Sequence, residues 1–128
     1  MSSIRPNVDQ FAALASAAKG DDRPVVMVNL LKYKAGGGSA EYGKYGDAAV
    51  RMIGDTGGRV IFSGRCNQVL IGDPTQDWDA VVLVEYPNRQ ALIDMVSRKD
   101  YQQAHEYRAS GLERTMVYAV TPGREIAG

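Results

Sequence analysis

The spacing of apolar positions along this chain changes period several times, and each change marks an element. In "NVDQFAALASAAKG" (7–20), Val8, Phe11, Ala12, Ala15 and Ala18 recur at helical spacing on one face. Asn7 stands where an N-cap belongs, and Gly20 where the helix stops. "PVVMVNLLKYK" (24–34) is nearly continuous and β-branched at its start, the pattern of a buried central strand. "AGGGS" is a loop, with Ser39 placed to cap the next helix. That helix, about 40–55, sets Tyr42, Tyr45, Ala49, Met52 and Ile53 on one arc. Gly43 and Gly46 lie inside it, where glycine weakens a helix by up to about 1 kcal/mol each and permits close backbone approach.

"TGG" ends the helix, and "RVIFSGRCNQVLIG" (59–72) reads as a strand kinked at Gly64 that resumes after Asn67. "DPTQD" is a turn, and "WDAVVLVEYP" is a strand closed by Pro87. Asn88 caps "NRQALIDMVSR", whose stripe is Ala91, Leu92, Met95 and Val96. A second helical segment, "KDYQQAHEYRAS", follows at once. "LERTMVYAVTP" is the last strand, alternating around Met116, Tyr118 and Val120, and "GREIAG" is expected to be a loose tail.

After the first helix the order is β-α-β-β-α-β. That predicts an α+β fold, a ferredoxin-like βαββαβ plait with an antiparallel sheet and an extra N-terminal helix. The expectation is a single domain over 1–128, with a core at about 24–121 and residues 1–20 as a helical extension. Helices cover one sheet face. The other is apolar and has no third layer encoded, so a second copy is expected to cover it, as a homodimer.

Charge changes the picture little. Lys+Arg and Asp+Glu both number 15, so no basic excess marks a nucleic-acid partner. An RNA-binding plait would also need exposed aromatics on its central strands, and "VVLVEYP" carries no such pair. One cysteine, Cys66, allows no intrachain disulfide. One cysteine and one histidine leave a zinc site short of ligands, so no metal and no cofactor are expected. No stretch approaches a membrane span, and "FAALASAA" makes a poor secretory signal; a cytoplasmic protein is expected.

"VVMVNLLKYK", "TGGRVIFSG", "VVLVEYP" and "SRKDYQQAHEYR", in this order, resemble the family called domain of unknown function 1330. The best-matched pieces are Gly57-Gly58 before a strand, Glu85 followed by an aromatic, and Tyr101-Gln102 with Arg108 six positions after the glutamine. The family often has Ser-Pro-Glu before that tyrosine, where this chain has Arg98-Lys99-Asp100. The resemblance implies a dimeric α/β barrel, two plaits paired sheet to sheet. It supplies no reaction. Better-known proteins of that superfamily include cofactor-free monooxygenases and small lactone isomerases, and function does not follow from fold.

At 100° per residue, Tyr101, Ala104, His105 and Arg108 fall within an arc of roughly 100°, opposite Gln102, Gln103, Glu106 and Ser110. An inward Tyr, His and Arg must be satisfied somewhere. One reading is a pocket wall: Tyr101 and Arg108 bind a ligand, Arg108 taking an anion, and His105 moves a proton. The other is a structural network, with Arg108 paired to a carboxylate. Glu85, ending an apolar strand, is either that ion-pair partner or a general base. Asn29, mid-strand, either orients a ligand or satisfies the sheet. Tyr42 and Trp78 complete the set of ligand-binding candidates; core packing and a cover over the sheet end are their plainer roles.

Two functions follow. The first is a homodimer binding a small organic molecule in a cleft between sheet and helices, as a binding protein or a cofactor-free enzyme of isomerase or monooxygenase type. The alternative is a structural or regulatory dimer with no catalytic site.

Overall fold

The computed structural model describes residues 4–123. The tail expected to be loose lies almost wholly outside them. Helix α1 (Val8–Gly20) precedes β1 (Val25–Tyr33), α2 (Gly38–Asp55), β2 (Arg59–Arg65), β3 (Ala80–Tyr86), α3 (Arg89–Val96), α4 (Lys99–Gly111) and β4 (Leu112–Val120). The strands form one antiparallel sheet in the order β2-β3-β1-β4, which is the ferredoxin-like arrangement. The second crossover uses two helices.

Side-chain caps open α1 and α3. Asn7 accepts from the Gln10 N–H while Gln10 reaches back to the Asn7 N–H, a complete capping box. Asn88 accepts from the Ala91 N–H. Ser39 does not cap α2. Gly37 does, at φ 110°, a conformation open to glycine at little cost.

Alternation assigns the faces. Val25, Met27 and Leu31 of β1 point at the helices, as do Val82, Val84 and Tyr86 of β3. They meet Ala49, Met52 and Ile53 of α2, Met95 of α3 and Ala104 of α4. Leu31, Met95, Leu112 and Val25 are fully buried, each contributing about 1.5–3 kcal/mol. The opposite face carries Val26, Val28, Leu30, Phe62, Val81, Leu83, Met116, Tyr118 and Val120, and no element among the described residues covers it.

Several local expectations are corrected. On α1 the inward residues are Leu14, Ala15 and Ala18, whereas Val8 and Ala12 are exposed; α1 touches mainly α3, so only a narrow arc is covered. The irregularity in β2 lies between Val60 and Phe62, not at Gly64. The strand does not resume after Asn67: residues 66–79 form a loop, closed where the Cys66 N–H meets the Asp79 carbonyl. Gly43 and Gly46 approach nothing. The close approach is between the start of α2 and the end of α4, where a Cβ on Gly38 would stand 2.5 Å from the Gly111 carbonyl oxygen and one on Gly111 would stand 2.6 Å from that of Gly38.

Candidate functional site

Helix α4 presents two different faces. Ala104, His105, Arg108 and Gly111 are buried and Tyr101 is half-buried, while Gln102, Gln103, Glu106 and Ser110 are exposed. The helical spacing therefore places the polar trio inward, against α2 and the helix side of the sheet.

There it meets more tyrosines. The hydroxyls of Tyr45 and Tyr101 are 3.1 Å apart. Ring centroids form a row: Tyr33 to Tyr42 at 5.8 Å, Tyr42 to Tyr45 at 5.3 Å, Tyr45 to Tyr101 at 6.0 Å, Tyr101 to His105 at 6.1 Å. The Arg108 guanidinium lies 6.0 Å over the Tyr45 ring. It donates to the Ile4 carbonyl at 2.9 Å and to the Thr115 hydroxyl at 3.5 Å, and Thr115 in turn donates to the Leu30 carbonyl.

This environment holds the groups neutral. Burial pushes the Tyr42 hydroxyl up to about 12 although the Arg108 charge pulls the other way. Tyr45 is also raised, first by burial. His105 is 6% exposed, and its pKa falls to about 4, first through burial, then through the charges of Arg5 and Arg108, with Glu106 opposing. Its Nε2 is buried and has no hydrogen-bond partner among the described residues. A neutral imidazole with an unused ring nitrogen can accept or deliver one proton.

Beside this cluster a cleft of about 390 Å³ opens between the sheet and the first turns of α2. Tyr33, Ser39, Tyr42, Ser63, Arg65 and Asp79 line it. Tyr42 belongs to both, while Tyr45, Tyr101, His105 and Arg108 lie behind it and do not line the cleft. A second groove, about 550 Å³, runs along the outer surface between α2 and α4; Arg98 on its wall pairs with Asp55 and Asp100.

Other expected residues lie elsewhere. Glu85 is not beside Arg108. It shares the parity of Val81 and Leu83, which face away from the helices, and its carboxylate accepts from Arg59 at 3.3 Å. Arg114, its other expected partner, pairs with Asp77. Trp78 lies under the Arg114 guanidinium, 4.4 Å from its ring centroid, at the end of that same open face. Asn29 is on the helix side, but its amide donates to the Met27 and Val82 carbonyls, ties within the sheet. Cys66 is exposed. Among the described residues no group of three or more His, Cys, Asp or Glu is placed to hold a metal ion.

Sequence reasoning missed Tyr33, Arg65, Asp79 and Thr115. Tyr33 shares the parity of Val25 and Leu31, a usable signal; Arg65, Asp79 and Thr115 gave none, because their faces depend on strand register.

The model of the family named domain of unknown function 1330 matches residues 37–121. The chain belongs to that family. No curated protein matches it. Among solved structures, a protein of unknown function from Rhodopseudomonas palustris is similar over 97% of this chain and 99% of its own, with 24% identity and a TM-score of 0.90. A hydroxynitrile lyase from Passiflora edulis is similar over 84% of this chain and 100% of its own, at 6% identity and a TM-score of 0.64. A dimeric ferredoxin-like protein of unknown function from Bacteroides fragilis is similar over 77% and 95%, at 12% identity and a TM-score of 0.54. These likenesses establish the fold alone. Among the described residues no helix is long and apolar enough to cross a membrane.

Proposed function

We propose that the chain is a single-domain, cytoplasmic homodimer that binds a small organic molecule in the helix-side cleft. The observation that carries the ligand reading is the buried, unpartnered Nε2 of His105 in a row of aromatic rings that ends in an open cleft. Buried polar atoms are nearly always satisfied, and an exception calls for a partner that the described residues do not supply. Tyr42, Tyr101 and Arg108 line the ligand, and His105 is the group able to move a proton. Chemistry of isomerase or monooxygenase type, without metal or cofactor, is what such a set can support. Glu85 takes no part, because it faces away from His105. The dimer reading rests on the open apolar face and is in keeping with the Bacteroides fragilis relative being dimeric. Nucleic acid has no place in it.

A screen of small organic compounds by thermal shift tests the ligand reading. A compound at a hundred times its Kd should stabilise the protein by about 2.7 kcal/mol, and His105→Ala should remove the response while the variant stays folded. If no compound shifts the melting temperature, the second reading holds, a structural dimer. The Tyr45–Tyr101 hydrogen bond and the tie from Arg108 to Ile4 favour that reading.

A further inference from the structure

Among the described residues no opposite charge meets Arg108. The side chain is 6% exposed, yet among the described residues no carboxylate pairs with it; its partners are a carbonyl, a hydroxyl and aromatic rings. A buried charge is costly unless an opposite charge meets it. Other arginines follow that rule: Arg89, nearly as buried, pairs with Asp21, and the more exposed Arg98 and Arg114 also hold carboxylates. The surroundings of Arg108 offer no anion, since Tyr42 and Tyr45 are held in their neutral forms.

The cleft on the other side of Tyr42, which Arg108 itself does not line, has the same imbalance. Arg65 lines the cleft and forms no ion pair among the described residues. The lining carboxylate, Asp79, is already engaged by Lys32 at 3.3 Å and by the Tyr33 N–H at 2.9 Å. An entering molecule therefore meets one cation without an ion pair in the wall, and a second stands behind Tyr42, within reach if that ring gives way.

We propose that the ligand is a flat organic acid, its ring or conjugated body against Tyr33 and Tyr42 and its carboxylate drawn to Arg108, with Arg65 guiding entry. The proposal rests on the ligand reading above and names the class. A guanidinium matches a carboxylate with two parallel donors, and tyrosine faces suit a planar body. The carboxylate displaces the Ile4 carbonyl as a partner of Arg108 and supplies the charge that a carbonyl does not.

Benzoate, benzamide and inorganic phosphate, compared at equal concentration on the full chain by thermal shift and calorimetry, test this. Benzoate should bind at least about tenfold more tightly than benzamide. Arg108→Met should abolish that preference. Arg65→Gln, a surface change that leaves the buried cluster intact, should reduce it, and keeps the test alive if Arg108→Met fails to fold. Equal binding of benzoate and benzamide would overturn the acid inference and leave the cleft reading standing. Phosphate binding without benzoate binding would overturn the carboxylate class. Binding of none of the three overturns this proposal; the cleft reading is then decided by the wider screen.

Discussion

Acidification from pH 7 to pH 4.5 should destabilise the protein by about 2–3 kcal/mol through His105 alone. The folded imidazole titrates at about 4, held down by burial and by the charges of Arg5 and Arg108. The unfolded one titrates near 6.5. Between those values the unfolded chain binds a proton that the native chain refuses, so stability rises with pH. The contribution is complete above pH 6.5 and is lost as the solution falls toward pH 4. The groups facing the ring are Arg5, Arg108, Glu106 and Tyr101, and only Glu106 favours protonation. Carboxylates touch only the foot of this window, where Glu41, held below its ordinary 4.5 by Lys44 and Ser110, begins to lose its contribution. Asp21, held far below its ordinary value by Arg23 and Arg89, loses its contribution below pH 3.8, and Asp77 and Asp100 behave likewise. Urea denaturation at a series of pH values checks it: His105→Gln should flatten the slope between pH 6.5 and 4.5. An unchanged slope would mean that His105 is solvated in the native state.

Tyr118→Asp should convert the proposed homodimer into monomers, raising the dissociation constant at least about a hundredfold, or about 2.7 kcal/mol. Tyr118 lies on the open face of the sheet and is 53% exposed, so a carboxylate there costs the single chain little. In a two-fold contact each substitution enters twice, and an unpaired charge in an apolar contact is strongly unfavourable. Phe62, Met116 and Val120 share that face and are also exposed, and contiguous exposed apolar patches mark interaction sites. Sedimentation velocity decides the point. A native protein that sediments as a monomer at micromolar concentration would remove the reason for the effect.

Helical periodicity was legible and strand parity was only half so. On α4 the spacing of Tyr101, His105 and Arg108 fixes a shared face whatever surrounds the helix, and all three turn inward. On β3 the sequence shows that Glu85 shares a face with Val81 and Leu83. It does not show which face meets the helices, because both parities of "VVLVEY" are apolar. The helices took Val82, Val84 and Tyr86, so Glu85 went to the other side and met Arg59. The same ambiguity hid Arg65 and Thr115. "VLI" at 69–71 departs from its strand pattern for another reason: apolar residues without a pairing partner make no strand, and Leu70 and Ile71 stand exposed in the loop. Family membership and topology survive such errors, since they depend on element order.

The chain has one histidine, so its imidazole gives a single, self-assigned pair of nitrogen resonances. Nitrogen NMR of His105 across pH, without and with an organic acid such as benzoate, probes the proposed site directly. A neutral ring down to about pH 4, with resonances that move saturably as the ligand is added, is the predicted result. A ring that titrates near 6.5 and ignores every ligand would contradict a buried binding site at His105.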